Sequence, residues 1–340
     1  MKKSLLALAV LGAFAGVASA QSSVTLYGTI DTSAQYVKND GSDRSLSLGQ
    51  SGINSSQLGF KGVEDLGGGL KASFVLLAGV NADTGTTNSR LFNRRSTVSL
   101  SGGFGEIRLG RDYTPTFWNN TNFDAFGTNG LGDSSHVQQL GSPTFVRADN
   151  SIGYFLPSSL GGFYGQFMGA AGEGGTAAIG NPGRYIGGRV GFAAGPFDVA
   201  FAAGEQSYVS GALKTKTYNV GGSYNFGVVQ VMGYFDRDTQ GDVKENRYSL
   251  SAVVPLGQGE IHAGYSRSKA TDSSVSPSIN NVVSQYALGY VYNVSKRTAL
   301  YTTVSRVNNG DLSDNAVGGN VAPTLGGKST GAEFGVRHFF

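Results

Sequence analysis

The amino-acid sequence predicts an all-β protein, a sixteen-stranded antiparallel transmembrane β-barrel with an inward-folded third loop. Three observations support this fold class: apolar residues recur with a period of two, short turns alternate with long polar stretches, and glycine is abundant while proline is scarce. Glycine accounts for 53 of the 340 residues and proline for 8. Because 39% of the residues are hydrophobic and alternate regularly, the composition indicates folded β-structure with many tight turns and not disorder.

The period of two is clearest in three segments. They are VTLYGTID (24–31), RYSLSAVVPL (247–256) and QYALGYVY (285–292). In the second segment, Tyr248 and Leu250 fall on one side of the predicted strand, and Ser249 and Ser251 fall on the other. Such strands have one side in an apolar medium and the other side in a polar medium.

The connections between the predicted strands follow a regular order. Short turns lie at 64–70, 101–106, 156–163, 193–198, 224–228, 255–260 and 292–298. Longer polar stretches lie at 38–52, 81–91, 112–146, 169–184, 204–217, 236–246, 268–283 and 307–328. Fifteen connections predict sixteen strands, with about 20 residues for each strand and its connection. Alternating short and long connections with an even strand number are typical of transmembrane β-barrels, whose short turns are periplasmic.

A soluble β-sandwich or solenoid would show the same alternation of residues. The barrel is favoured because a soluble sandwich rarely needs eight long loops on one side, and because closure removes exposed strand edges. In hydrocarbon every backbone N–H and C=O must be paired, so a spanning sheet closes on itself. The first strand (Val24–Tyr36) is therefore expected to pair with the last strand (Ala332–Phe340).

Residues 1–20 predict a cleaved secretory signal peptide. Lys2 and Lys3 precede an apolar run that ends on the small-x-small pattern Ala-Ser-Ala at 18–20. Residues 21–340 are then expected to form a single barrel. Without the two signal lysines, the 26 basic and 23 acidic residues leave a net charge of +1, which implies no bulk attraction to nucleic acid. The chain has no cysteines, so disulfides do not stabilise it.

The longest polar stretch, 112–146, is predicted to be the third loop and to narrow the pore. Sixteen strands leave a lumen too wide for side chains to fill. The stretch is rich in aromatic residues, among them Phe117, the chain's one tryptophan Trp118, Phe123 and Phe126. Folding the loop onto the inner wall would bury them, whereas the alternative packs it outside against a neighbouring subunit. In the inward arrangement Asp124 and Asp133 would be the acidic groups nearest the pore.

Strand parity predicts which residues face the lumen. On RRSTVSL (94–100), Val98 and Leu100 face outwards, so Arg95 faces inwards. The same argument places Gln57, Lys61, Arg108 and Arg147 inwards. A basic wall opposite an acidic loop creates a transverse field, and a net excess of one sign selects ions. The alternative is that these are ordinary charges of a polar lumen.

Five stretches resemble the general diffusion porins of the Gram-negative outer membrane, most closely those of the β-proteobacteria. They are SSVTLYGTIDTSAQY (22–36), LGFKGVEDLGGGLKASF (58–74), FNRRSTVSLSGGFGEIRLGRDYTP (92–115), RADNSIGY (147–154) and GVRHFF (335–340). These stretches span the whole predicted mature chain. The five stretches together are specific for this family, although no single one of them is.

The resemblance implies a homotrimer of sixteen-stranded barrels, each with its own pore, an inward third loop and an arginine cluster on the opposite wall. Members of this branch often prefer anions. By motif, Arg95 (or its neighbour Arg94) and Arg147 match the wall arginines, and 112–146 matches the constriction loop. Where this chain has Gln57, the family commonly has arginine, and the loss of that charge is expected to weaken the preference for anions.

The resemblance also implies a role for Phe340, the last residue. In the family, a terminal aromatic residue is the recognition signal for the outer-membrane assembly machinery. Phe334, Val336 and His338 share a face with Phe340. We therefore expect Phe340 on the outer face of the final strand, at the periplasmic rim, where barrels carry an aromatic girdle.

The predicted function is passive diffusion of ions and small hydrophilic solutes through a water-filled pore in the cell outer membrane, with a weak preference for anions. Two alternatives remain open: a substrate-specific outer-membrane channel, and a plugged barrel that acts as an adhesin or structural protein. The expected partners are a homotrimer, the lipid bilayer with its lipopolysaccharide, and the assembly machinery. No enzymatic activity, cofactor or metal site is predicted, because the three histidines lack metal-ligand spacing.

Overall fold

The computed structural model describes residues 23–87, 90–141, 145–172, 182–207, 214–274, 279–318 and 321–340. They form one sheet of eighteen strands, of which β2 and β5 are short additions. The other sixteen make up a closed antiparallel barrel, which confirms the predicted sixteen-stranded antiparallel β-barrel. The predicted signal peptide lies outside the described residues. Among those residues, no helix has the length and apolar character needed to cross a membrane.

The first half of the sheet contains β1 (Ser23–Asn39), β2 (Ser45–Gln50), β3 (Gln57–Gly67), β4 (Leu70–Asn81), β5 (Thr86–Thr87), β6 (Arg95–Gly102), β7 (Gly105–Tyr113), β8 (Arg147–Phe155) and β9 (Phe163–Ala171). The second half contains β10 (Arg184–Ala194), β11 (Phe197–Ser207), β12 (Lys214–Asn225), β13 (Gln230–Gln240), β14 (Val243–Leu256), β15 (Gly259–Asp272), β16 (Ile279–Asn293), β17 (Thr298–Asn308) and β18 (Lys328–Phe339). Between β7 and β8 lie a helix, α1 (Pro115–Asn122), and two 3-10 turns, Gly130–Gly132 and Ser134–Val137. We call residues 114–146 the β7–β8 segment.

The barrel is closed by β1 and β18. These strands pair in antiparallel register from Thr29 opposite Phe339 to Asn39 opposite Ser329. The other edge of β1 pairs with β2 and β3, so β1 has a partner on both sides. The expected pairing of the first and last strands is confirmed, although both strands begin earlier than the sequence indicated.

Side chains alternate between a polar inner face and an apolar outer face. On β14, Tyr248 and Leu250 are 52% and 61% exposed, whereas Arg247 and Ser249 are buried. Large apolar side chains repeat this outward exposure on most strands. On the outer surface of a membrane barrel they face hydrocarbon, and the polar face lines the lumen.

The polar stretch at 236–246 was expected to be a long loop, and this expectation is wrong. β13 and β14 pair continuously up to Gln240 opposite Val243 and leave only a two-residue turn. The charges belong to the inner face of the strands. Arg247 is fully buried and contacts both Asp236 and Asp238 at 3.0 Å, so these polar residues balance one another inside the barrel.

A β-bulge interrupts the alternation where β7 pairs with β8. The register shifts between Gly110 and Asp112, and Gly110 has a φ of 125°, a value that favours glycine. As a result Ala148 joins the buried inner cluster that contains Met168. Asp149 lies beside this bulge, and its carboxylate accepts a hydrogen bond from Nη1 of Arg111 at 2.6 Å.

The end of the chain is part of the seam between β18 and β1. Phe340 and Gly28 exchange two backbone hydrogen bonds of 3.0 and 3.1 Å. A Cβ atom on Gly28 would lie 2.3 Å from the ring of Phe340, so this close approach requires glycine. His338 is exposed on the outer face, and its Nδ1 lies 2.9 Å from Oγ1 of Thr298 on the neighbouring strand.

Candidate functional site

A cavity of about 860 Å³ lies between the β7–β8 segment and the inner face of the barrel near β1, β3, β4 and β6. Its charged lining residues are Arg94, Arg95, Arg147 and Asp133. Its aromatic lining residues are Tyr113, Phe117, Trp118 and Phe145. Uncharged polar groups, among them Gln57, and a few aliphatic side chains make up the rest of the wall.

The helix α1 gives the β7–β8 segment two different sides. Pro115 occupies its first turn, where a missing backbone N–H costs no helical hydrogen bond. Asn119 and Asn120 are buried against the barrel, whereas Phe117 and Trp118 are half-buried and line the cavity. A helix of eight residues is marginal by itself, so it depends on these contacts.

The side of the segment that faces the barrel is fixed by hydrogen bonds and close packing. Nδ2 of Asn119 donates to the carbonyl of Ala200 (3.1 Å) and to Oδ1 of Asn219 (2.9 Å). Phe123 is 1% exposed and packs against the inner face. A Cβ atom on Gly221 would lie 2.2 Å from the ring of Phe123, so glycine at this position makes room for the ring.

Two acidic residues of the barrel bind backbone N–H groups of the same segment. Glu245 on β14 accepts from the N–H groups of Gln139 (3.0 Å) and Leu140 (2.7 Å). Glu333 on β18 accepts from the N–H of Leu131 (3.4 Å). The segment is therefore tied to parts of the inner face that lie far apart around the barrel.

Asp124 is turned towards the barrel and is buried. Its carboxylate accepts hydrogen bonds from the N–H groups of Phe126 and Thr128 (both 3.1 Å) and from Oγ of Ser134 (2.9 Å). Burial raises the pKa of Asp124 to about 6, and the negative charge of Asp133 raises it further. The hydrogen bonds that the carboxylate accepts lower the pKa and only partly offset this rise. Asp124 therefore orders a tight turn within the segment.

Two arginines of the inner wall are neutralised by carboxylates. Nε of Arg95 and Nη1 of Arg108 donate to the two oxygens of Asp112, at 2.7 and 2.6 Å. Asp112 is only 2% exposed. Arg108 also pairs with Glu106 at 2.9 Å. Because two guanidinium groups face two carboxylates, this cluster contributes little net charge to the lumen.

Arg94 and Arg147 have neutral partners instead. Nη2 of Arg94 donates to Oγ of Ser55 (2.7 Å) and to Oη of Tyr113 (3.1 Å). Nη2 of Arg147 donates to the same Oη of Tyr113 (2.8 Å). In the described part of the chain, neither arginine has a carboxylate oxygen within 4.0 Å. Their charges are therefore uncompensated at the cavity wall.

His136 also lines the cavity but adds no positive charge at neutral pH. Burial lowers the pKa of His136, although the charges of Asp133 and Glu333 act in the opposite direction. Its Nδ1 lies 3.2 Å from Nε2 of Gln285, an amide donor, which fits a neutral ring that accepts at Nδ1. Among the described lining residues, Asp133 therefore carries one negative charge, and Arg94, Arg95 and Arg147 carry three positive charges.

The structure brings together some of the predicted site residues and separates others. Those in the cavity lining are Gln57, Arg95, Asp133 and Arg147. Lys61 instead lies 5.2 Å from the ring centroid of Tyr27, Arg108 is held by Glu106 and Asp112, and Asp124 is buried in its turn. Their roles in transport stay predictions.

Sequence reasoning gave Arg94 only as an alternative to Arg95 and missed Tyr113. The adjacent arginines at 94 and 95 were a visible signal, but parity admits only one of them on each face of a strand. In the structure β6 begins at Arg95, so Arg94 precedes the strand and is free of its alternation. Both arginines consequently reach the cavity.

Comparisons with known proteins agree with this architecture. The family model described as Gram-negative porin matches residues 7–312. The chain is 42% identical to outer membrane porin protein 32 of Delftia acidovorans over 361 aligned residues, with 100% of both chains covered. It is 30% identical to an outer membrane porin protein of Bordetella pertussis, again over 100% of both. A solved anion-selective porin from Comamonas acidovorans superposes with a TM-score of 0.84 at 38% identity, covering 94% of this chain and 100% of that one.

The family match spans most of the chain, and the relatives align over their full length. The closed barrel with an apolar outer face and a charged inner cavity has the architecture that such proteins need to cross the outer membrane. The chain therefore belongs to the Gram-negative porin family, the channel-forming β-barrels of the outer membrane.

Proposed function

We propose that this porin conducts ions and small hydrophilic solutes passively and prefers anions. The observation that carries the proposal is the pair Arg94 and Arg147, whose charges have no carboxylate partner among the described residues and face the cavity that also holds Asp133. A net positive charge in a confined lumen raises the local concentration of anions. The preference is moderate, because Asp133 opposes it and Gln57 adds no charge. The anion-selective relative from Comamonas acidovorans supports the same sign.

We infer that the β7–β8 segment is the constriction loop expected at 112–146. Its hydrogen bonds reach the inner-face residues Asn219 on β12, Glu245 on β14 and Glu333 on β18. A segment that leaves β7 and reaches strands on other sides of the barrel has to cross the lumen. The cavity on its far side is then the passage left for solutes.

A planar bilayer recording in a salt gradient tests the proposal. Ohmic conductance steps are expected, with a zero-current potential of the sign for anions. An absence of steps from well-folded protein would contradict the channel, and a potential of the opposite sign would contradict the selectivity. Saturable flux of one solute that also blocks the ion current would favour the substrate-specific alternative, and a conductance insensitive to every candidate solute would remove that alternative.

Deletion of residues 119–130 tests the constriction. Their removal is expected to raise the single-channel conductance, because α1 and the turn at Asp124 no longer narrow the lumen. An unchanged conductance in a folded barrel would place the segment outside the ion path.

We further propose a homotrimer in contact with lipopolysaccharide. The outer face of β6–β8 is apolar at Val98, Leu109 and Ile152, which suits burial between subunits. Exposed basic residues on other strands suit phosphate groups of lipid; they are Lys216, Arg237, Lys244, Arg267 and Arg306. Cross-linking in membranes should trap trimers through cysteines placed at Val98 and Ile152, and monomers alone would contradict the arrangement.

We also infer that residues 1–20 are removed on export and that Phe340 is recognised by the assembly machinery. Phe340 binds Gly28 through backbone groups, so its side chain is not needed for that pairing. Phe340→Ala should therefore insert poorly in cells but refold nearly normally in detergent. An equal loss of folded protein in cells and in detergent would mean that the ring of Phe340 has only a structural role. Mass spectrometry of the mature N-terminus tests the removal of residues 1–20.

A further inference from the structure

The proposed channel cavity has an aromatic wall as well as a basic one. The aromatic wall consists of Tyr113, Phe117, Trp118 and Phe145, all half-buried. By contrast, the β7–β8 segment, which supplies Phe117, Trp118 and Phe145, buries its other two rings, Phe123 and Phe126, to 1% and 6% exposure against the barrel. Burying an aromatic ring is favourable, so rings left at the surface of an aqueous passage are available for contact with a solute.

The rings form a continuous surface. Those of Tyr113 and Phe117 are stacked with centroids 5.7 Å apart and an angle of 14° between their planes. The ring of Trp118 lies 5.2 Å from that of Tyr113 at 49°, and Phe145 meets Phe117 edge-on at 6.2 Å. These separations lie in the range of favourable aromatic pairs, so the surface is held in place before any solute arrives.

Tyr113 joins this surface to the uncompensated arginines. Its Oη accepts hydrogen bonds from both Arg94 and Arg147, so its own O–H is directed away from them and remains available to donate. The guanidinium of Arg147 lies 4.4 Å from the centroid of its ring, and that of Arg95 lies 5.6 Å from it. Guanidinium and hydroxyl donors at one end of an aromatic surface match a single planar anionic group.

We propose that this cavity is a binding site for aromatic carboxylates, with the ring on Phe117 and Trp118 and the carboxylate towards Arg94 and Arg147. The inference rests on the proposed function and narrows it to a class of solute. Chloride and small aliphatic acids engage only the arginines, and neutral sugars have no group that matches them. The site has to be weak, because a solute that passes through must also leave.

Reconstituted protein tests the proposal with benzoate and cyclohexanecarboxylate as probes. Both carry one carboxylate on a six-membered ring, but only benzoate is aromatic. Each acid is titrated into a chloride solution, and its dissociation constant is taken from the reduction in single-channel current. Benzoate is expected to bind about 3- to 10-fold more tightly, the factor that one or two aromatic or cation–π contacts provide.

The variant Phe117→Leu/Trp118→Leu keeps apolar bulk and removes both rings, so it should lose the preference for benzoate over cyclohexanecarboxylate. Phe201→Leu is the matched control, because Phe201 is exposed on the outer face and its loss should leave the preference intact. Should the double variant fail to fold, the wild-type comparison still decides. Wild-type chloride steps with equal affinity for the two acids would overturn this proposal alone, whereas an absence of chloride steps would overturn the proposed function.

Discussion

The two sides of the β7–β8 segment use similar residues under different constraints. The side towards the barrel buries Asn119, Phe123 and Asp124, and their polar groups find partners in the segment or on the inner face. The side towards the cavity leaves Trp118 and Asp133 partly open. Burial fixes where the segment lies, and partial exposure leaves side chains free to act on solutes. A substitution should therefore change stability on the first side and transport on the second.

Phe123→Ala should have the largest effect on stability. The ring is 1% exposed, and removing a buried phenylalanine ring costs about 3–5 kcal/mol. Thermal unfolding in detergent, followed by loss of the β-sheet circular dichroism signal, measures the change. Trp118→Ala is the control on the cavity side, and a drop as large as that of Phe123→Ala would remove the distinction between the two sides.

Asp124 should make stability depend on pH. Since folding raises the pKa of Asp124 from 3.8 to about 6, the folded protein binds more protons between these values, and this group's contribution to the unfolding free energy falls as pH rises through that window. The loss by pH 7 is about 3 kcal/mol. Asp124→Asn has no carboxyl group to titrate there, so its unfolding free energy should lack this decrease between pH 4 and pH 7. Parallel unfolding profiles from pH 4 to 7 would contradict this.

Gly221→Ala should weaken the same contact from the other side, because Gly221 lies on β12 of the barrel and faces the ring of Phe123. The new methyl group would meet the ring of Phe123 at 2.2 Å, and overpacking of this kind costs about 1–3 kcal/mol. The expected result is a lower unfolding temperature and noisier single-channel current. Gly169→Ala is a matched control, because a Cβ atom there meets nothing within 4 Å. An identical response of the two variants would show that strand glycines, and not the contact with Phe123, set the effect.

Substitutions among the arginines should affect stability least and selectivity most. Arg94→Ser/Arg147→Ser removes two uncompensated charges, so the zero-current potential should move towards cation preference in a salt gradient. Arg95→Ser/Asp112→Asn removes a bonded pair and keeps the net charge, so the potential should stay near the wild-type value. Equal shifts in both double variants would mean that the pairing seen around Asp112 does not decide selectivity.

The barrel was predictable because its signals are local. Alternation reports which medium each side of a strand faces, and turn spacing reports the number of strands. Local polarity gave the wrong prediction at 236–246, where a run of charged residues suggested a loop. These residues belong to strands, and Arg247 neutralises Asp236 and Asp238 on the inner face. The fold class was therefore accessible from sequence, although the lengths of individual connections were not.

The details of the site depend on contacts that lie far apart in sequence. The bulge at Gly110 changes the residues that face inwards on β8. The buried position of Asp124 depends on the turn that brings Ser134 to it. The contrast between paired Arg95 and unpaired Arg94 depends on where β6 begins and on Asp112 across the β6–β7 hairpin. None of these contacts has a periodic signature in the sequence.

The seam between β1 and β18 has a consequence for how the protein is made. Ser33 on β1 donates a hydrogen bond to Glu333 on β18 across 300 positions of sequence, so closure joins the first strand to the last. Pairing over such separations is slow, since the intervening chain must be ordered first. An incompletely synthesised chain presents open strand edges with no partner. Only a chain that already includes both β1 and β18 can therefore close the barrel. Chains that lack either strand keep exposed strand edges, and such intermediates are prone to aggregate.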